Sequence, residues 1–502
     1  MHTRPRTAVL LLAALLLLSA CGPAVAAVPS PTATPTATPP PTSTSVPPSP
    51  TPLPVFAAGS QVAGVDVSGM SLAAARERLV AALADPPKPI LLRAGDASLT
   101  LEPEMIGLSS SVDDLIATAD DALRASRPAD VPLSVGLDEQ TLRTQLAILA
   151  ERAAIPPQIS VISSTKIISR SFAYTPGMML DVDSALDQVR AAITSPRPAA
   201  TVALTLTEDP TVPRVSNDRL LAEVESMADD WNGVIGFHLY DIASGDAVRF
   251  HDKTVFAGAS TIKVAIMLNA YINVPKFTDK QEFWLGEMIK YSDNISANNL
   301  MAAAAGGSGT DDAFTGAVQM SAMLADDLGL ENLYLYIPYE SGDYIRQNKI
   351  KYKCGPKDPV GEKPYTETGC ALRATPYAIA QVYKAISACA SGDGVLLEKF
   401  DLLTPKRCQE MLDRLATNGD KTRLVAGLPK GTLAQHKSGW IEDMQADAGI
   451  VHTPGGDYVL AVYVYKKLTG GVLMWPDEQM APVVAAFSRL AYTAYNPVRL
   501  EK

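Results

Sequence analysis

Two strand-turn-strand patterns, set far apart in one long segment, constrain this chain most. Residues 234–241 form an apolar run, Ala243-Ser244-Gly245-Asp246 reads as a turn, and residues 247–250 read as the return strand. Far downstream, strand patterns over 446–452 and 458–465 flank Thr453-Pro454-Gly455-Gly456-Asp457, a second hairpin. Nearly everything between the two hairpins has helical periodicity. Strands from both ends of a segment must then close one sheet around an inserted helical region. This predicts a single large α/β domain over 213–502.

Upstream the texture differs. Residues 58–212 alternate short strand patterns (90–92, 98–101, 159–162 and 201–206) with amphipathic windows, an α+β module in two similar halves. Ser71 is placed to cap one helix, and further helices follow Val112-Asp113-Asp114 and Asp181-Val182-Asp183. No cluster of carboxylates, histidines or cysteines there points to chemistry.

Residues 23–54 consist almost wholly of Pro, Thr, Ser, Ala and Val, with no charged residue. Such a tract cannot bury a core, so 21–57 reads as an extended, semi-rigid spacer. Before it stand Arg4 and Arg6, an apolar run over 8–18, and Leu18-Ser19-Ala20-Cys21. The run is too short to span a bilayer comfortably, and its order is that of an export signal over 1–20. Two readings fit Cys21: a lipidated cysteine that becomes the new N-terminus, or a chance cysteine beside an ordinary cleavage site. The first predicts an extracytoplasmic domain lipid-anchored to a bacterial membrane, and the second a secreted one. Four cysteines remain, Cys354, Cys370, Cys389 and Cys408; local pairing is the simplest of three connectivities, and free buried thiols are the alternative.

The chemistry sits in the large domain. Ser260-Thr261-Ile262-Lys263 opens an apolar helix, which puts an amine one turn from a hydroxyl and leaves helix-start N–H groups free to face an oxyanion. Ser-x-x-Lys alone is weak, and Ser163-Ser164-Thr165-Lys166 repeats it in a strand-and-loop context. Ser260 differs in its company. Ser292-Asp293-Asn294 follows downstream, and Lys437-Ser438-Gly439 stands just before the strand pattern at 446–452. Singly, these read as a helix cap and a polar strand or turn. In this order they form a catalytic set.

The trio, with Phe256-Ala257-Gly258-Ala259 before Ser260 and Arg373-Ala374-Thr375-Pro376 further on, resembles the class A β-lactamases and the wider penicillin-recognising serine hydrolases over about 217–467. The resemblance implies Ser260 as acylated nucleophile, Lys263 as general base and Ser292 as proton relay to the leaving nitrogen. It implies that Asn294 contacts substrate and lysine. Lys437 and Ser438 would engage the substrate carboxylate, Gly439 would allow close approach, and Trp440 would supply a second oxyanion N–H. Trp440 is large for that place. The family's Glu-x-x-x-Asn arrangement for deacylation is missing: Glu340 stands near the expected place without the Asn, and Glu362 and Glu367 are later alternatives. The resemblance implies first a class A β-lactamase-like hydrolase, acylated at Ser260 by β-lactams or cell-wall peptides and then hydrolysed; the alternative is a D,D-peptidase or transpeptidase, or a catalytically weak penicillin-binding protein of the cell wall. The stretch GVDVSGMSLAAARERLVAAL similarly resembles peptidoglycan-binding modules, so wall binding and a plain spacer role compete for 58–212.

Composition excludes other classes. A net charge of −11 leaves no basic face for nucleic acid, and the five histidines show no zinc spacing, so neither metal nor cofactor is expected.

Overall fold

The computed structural model describes residues 53–85, 87–164, 168–195, 199–467 and 476–501. The export signal, Cys21, the spacer up to residue 52 and the lysine of the second Ser-x-x-Lys lie outside the described residues.

The two hairpins do meet. Strand Val234–Asp241 pairs antiparallel with Ala247–Phe250 on one side and with Tyr458–Tyr465 on the other. Tyr458–Tyr465 then pairs with Met444–Val451, and Met444–Val451 with the edge strand Ala434–Ile441. Every residue of Met444–Val451 and Tyr458–Tyr465 is buried, which explains their near-continuous apolar character: both faces of the sheet are covered. Helices Lys263–Asn273, Asn294–Ala304 and Pro376–Ala390 share a core with one face. Helices Asn217–Asp229 and Ala481–Tyr495 cover the other. The cysteines pair locally, Cys354 with Cys370 and Cys389 with Cys408.

In the upstream region Ser71 caps its helix as expected, Asp181 caps the helix Val182–Thr194, Ser111 caps the helix Val112–Arg124, and Asp138 caps the helix Glu139–Ala153. The two cores there are interleaved rather than consecutive. Strand Ile90–Ala94 pairs in parallel with the distant Thr201–Leu204, while a separate core gathers Phe56, Leu79, Leu115 and Val131. The strand expected over 201–206 is split, because Leu206–Glu208 pairs with Met178–Leu180 instead. The hairpin Gln158–Ser163 and Arg170–Thr175 leans on the large domain: Phe172 is buried in the core of Leu220, Phe487 and Leu490, and its N–H donates to Thr493 Oγ1 at 3.0 Å. Val498–Arg499 pairs in parallel with that hairpin. Among the described residues no helix is long and apolar enough to cross a membrane.

Candidate active site

A small sheet sets the floor of the site. Phe256–Ala257 pairs with Leu372–Ala374, which pairs with Tyr334–Leu335, so the approach to Ser260 is stitched to both ends of the loop 336–371. Ala259 then takes a left-handed conformation, φ 43°. The helix proper begins at Lys263, three residues later than the sequence suggested. Ser260 lies in a tight turn whose carbonyl accepts from Lys263 N–H at 3.2 Å. No side chain caps this helix, so its start is held by packing. The run Lys263 to Tyr271 is wholly buried, and Thr261 Oγ1 lies 2.6 Å from Gly258 O and 2.7 Å from Tyr463 Oη.

The lysine is drawn to the second motif. Ser292 is also left-handed, φ 60°, and Asp293 caps the helix Asn294–Ala304 by accepting from Ser296 N–H at 2.6 Å. Lys263 Nζ donates to Ser292 O at 2.5 Å, Asn294 Oδ1 at 2.6 Å and Ser292 Oγ at 3.2 Å. Lys437 Nζ reaches the same hydroxyl at 3.0 Å, and Ser438 O at 2.9 Å. With both amines donating to its oxygen, the Ser292 hydroxyl keeps its own proton for a third partner. Burial, and then the Lys437 cation, lower the Lys263 pKa to about 7, against the opposing pull of Asp293 and Glu340. Burial likewise lowers Lys437 to about 8, partly offset by Asp447 and Asp420. Near neutral pH a large share of Lys263 is therefore the free amine a general base must be.

The third motif lies on the edge strand. A Cβ at Gly439 would stand 2.6 Å from Thr261 N and 2.7 Å from Ser260 N. Only glycine lets the strand run this close to the amides of the Ser260 turn. Trp440 is 45% exposed, and the Arg423 guanidinium lies 4.5 Å from its ring centre.

The loop side is different. Asn298 clasps the backbone of Tyr339 twice, accepting from its N–H at 2.9 Å and donating to its carbonyl at 2.9 Å. Tyr339 in turn donates its hydroxyl to Ala259 O at 2.8 Å, and its ring centre lies 4.6 Å from Lys263 Nζ. Glu340, next in sequence and left-handed at φ 53°, is exposed and accepts from Asn294 Nδ2 at 2.7 Å. Glu362 and Glu367 are not brought to the lysine; they pair on the surface with Lys253 and Lys467.

The structure thus gathers Lys263, Ser292, Asn294, Lys437 and Ser438 into one hydrogen-bonded group, sets Gly439 against the turn of Ser260, and ties Glu340 in through Asn294. Sequence reasoning missed Tyr339, Asn298, Asp420 and Arg423. The only signal for the last two was the turn-forming Asn418-Gly419-Asp420, a pattern shared by many loops. Asp420 accepts from Thr422 N–H at 2.8 Å and from Arg423 Nη1 at 2.5 Å.

No curated protein matches the chain. Among solved structures, PBP-A is 20% identical, covering 57% of this chain and 99% of its own at a TM-score of 0.41. A class A β-lactamase from Mycobacterium abscessus is 17% identical, covering 55% and 99% at 0.39. A class A β-lactamase of the last common ancestor of Gram-negative bacteria is 19% identical, covering 54% and 98% at 0.38. The model of the beta-lactamase enzyme family matches residues 282–496, the stretch that carries the second and third motifs and most of the sheet.

Proposed function

We propose that Ser260 is acylated by β-lactams or by peptides of the bacterial cell wall, and that the acyl-enzyme is slow to hydrolyse. In this scheme neutral Lys263 takes the Ser260 proton, and the oxygen attacks the substrate carbonyl. The new oxyanion faces the amides beneath Gly439, and Ser292 hands its proton to the leaving group while the two amines restore it. The observation that carries the reading is the Lys263 amine, buried, lowered to about 7, and held by Ser292 and Asn294.

Slow deacylation is supported by the loop. The side chain set beside Lys263 is the ring of Tyr339, while the Glu340 carboxylate is exposed and engaged by Asn294. A hydrolysing β-lactamase is the second reading. It is favoured by the short chain Glu340–Asn294–Lys263, which keeps a carboxylate one residue from the base. We further propose that the domain is held outside the membrane by a lipid on Cys21 and the spacer at 21–57, with 58–212 as a module for peptidoglycan. The leader and the proline-rich tract support this.

Intact mass of the full chain, followed over time with a penicillin and with a peptide thioester, tests the scheme beside Ser260→Ala. A lasting adduct on the unmutated protein, absent from the variant, is expected. An adduct that disappears with release of hydrolysed drug would establish the β-lactamase reading. No adduct and no turnover with either compound would overturn the assignment of Ser260.

A further inference from the structure

The two disulfides stand in unlike surroundings. Cys389 and Cys408 are both sealed in the core, whereas Cys354 is exposed and Cys370 half-buried. The exposed bridge closes the far half of the loop 336–371 into a ring, and that ring holds a buried cation. Arg373, 1% exposed, stands three residues after Cys370 and reaches back into it. Its Nε donates to Thr368 Oγ1 at 2.8 Å and to Gly369 O at 2.9 Å, its Nη1 to Pro356 O at 2.8 Å, and its Nη2 to Asp358 Oδ1 at 2.9 Å. All four acceptors lie between the bridged cysteines.

The ring also grips the strand that leads to Ser260. Thr366 Oγ1 donates to Val255 O at 2.7 Å, Thr254 Oγ1 donates to Glu362 O at 3.2 Å, and Thr254 bridges to Gly361. Arg373 itself lies on the middle strand of the small sheet, opposite Ala257, and a Cβ at Gly258 would stand 3.3 Å from its carbonyl carbon. Ala259 and Ser260 follow at once. A closed ring keeps four acceptors where a buried guanidinium needs them. An open one gives the segment many more conformations and leaves that charge short of partners. Arg373 would then be drawn toward water, and the strand paired with it would lose its hold on the turn of Ser260.

Resting on the acyl-transfer reading above, we infer that the Cys354–Cys370 disulfide is a reducible clamp on the Ser260 turn, so that acylation is fast with the bridge closed and slow with it open. The co-reactant is a dithiol. One of its thiolates attacks the exposed Cys354 sulfur, the bond to Cys370 breaks, and Cys370 leaves as a thiolate that takes up a proton. The second thiol, as thiolate, attacks the mixed disulfide, Cys354 leaves and is protonated in turn, and the reagent ends as a cyclic disulfide. Two electrons and two protons pass to the two cysteines. Burial shields the core bridge from the same attack.

The test treats the full chain with dithiothreitol under conditions that leave it folded by circular dichroism, removes the reagent, and follows acylation of Ser260 by penicillin through intact mass. Free thiols are then blocked with iodoacetamide and located by peptide mass. Cys354 and Cys370 are expected to open before Cys389 and Cys408. Acylation at saturating penicillin should slow by about tenfold, less than the roughly 10²-fold cost of an ångström-sized misplacement. The penicillin concentration giving half the maximal rate should change little, because Lys437 and Ser438 lie on a strand of the other sheet. Reoxidation should restore the original rate, and Cys354→Ser with Cys370→Ser should be slow and indifferent to dithiothreitol. An unchanged rate with Cys354 and Cys370 open would overturn the inference whether or not that variant folds. So would a chain in which the core bridge opens first. Absence of acylation in both redox states is a separate outcome, removing the assignment of Ser260 and the clamp with it.

Discussion

On the wall formed by the helix starts and the edge strand, Lys263, Lys437 and Ser438 are each at most 1% exposed. On the loop 336–371 the carboxylates are exposed, and Glu362 and Glu367 find their partners at the surface. The first wall is fixed by two cores, by register and by hydrogen bonds that converge on Ser292. The second depends on a clasp from Asn298 and a hydroxyl on Ala259 O. Burial lowers an amine to the pKa a base needs, and only the first wall supplies it. On the proposed reading, the site is built more firmly for forming an acyl-enzyme than for hydrolysing one.

The sharpest way to break this contrast is Lys263→Met, which should slow acylation by about 10²–10⁴-fold if the buried amine is the base. For the unmutated protein the apparent second-order acylation rate should rise with pH through about 7, as Lys263 loses its proton, and decline above about 8, as Lys437 loses its charge. The two amines share Ser292, so both limbs belong to the pair. A flat profile over this range, read by thiol release from a neutral thioester, would remove Lys263 from the role.

Gly439→Ala comes next. The added methyl meets the Ser260 and Thr261 amides, so acylation should fall by about 10²-fold, the usual size for loss of an oxyanion donor. Thermal unfolding should move little, because the strand lies at the sheet edge. A large loss of melting temperature with normal acylation of the remaining folded protein would show that the close approach serves packing alone. Tyr339→Phe deletes one hydroxyl hydrogen bond to the left-handed Ala259. About 1 kcal/mol, roughly fivefold in acylation rate, is expected, with binding of the neutral thioester unchanged. Glu340→Gln should have the smallest effect, within about threefold on the lifetime of the adduct. A lifetime longer by about 10²-fold would make Glu340 a deacylating base and bring the two walls level.

The same division decides what could be read from the sequence. The strand Tyr458–Tyr465 was legible to its ends because its composition answers to burial on both faces, and the helix after Lys263 because its apolar run is unbroken. Ser292-Asp293-Asn294 and Lys437-Ser438-Gly439 were legible because each motif lies within three consecutive residues. The Tyr339 contact with Ala259 joins residues 80 apart, and no local periodicity encodes it. Asp420 was hidden for a related reason: in sequence it is one turn residue among many, and its partner Arg423 finds Gln445 on the sheet, 22 residues further on. The start of the helix after Ser260 was misplaced because pattern and packing agree on the helix but not on its first turn.

The parallel pairing of Val498–Arg499 with the hairpin at 158–175, and the burial of Phe172 among Leu220, Phe487 and Leu490, bear on how such a domain is inherited. A recombination event that joined the catalytic region to a new neighbour at residue 213 would leave the socket of Phe172 open and strip the last strand of its partner. A cut upstream of residue 158 would in turn part Thr201–Leu204 from Ile90–Ala94, so neither place frees the catalytic region without breaking a pairing.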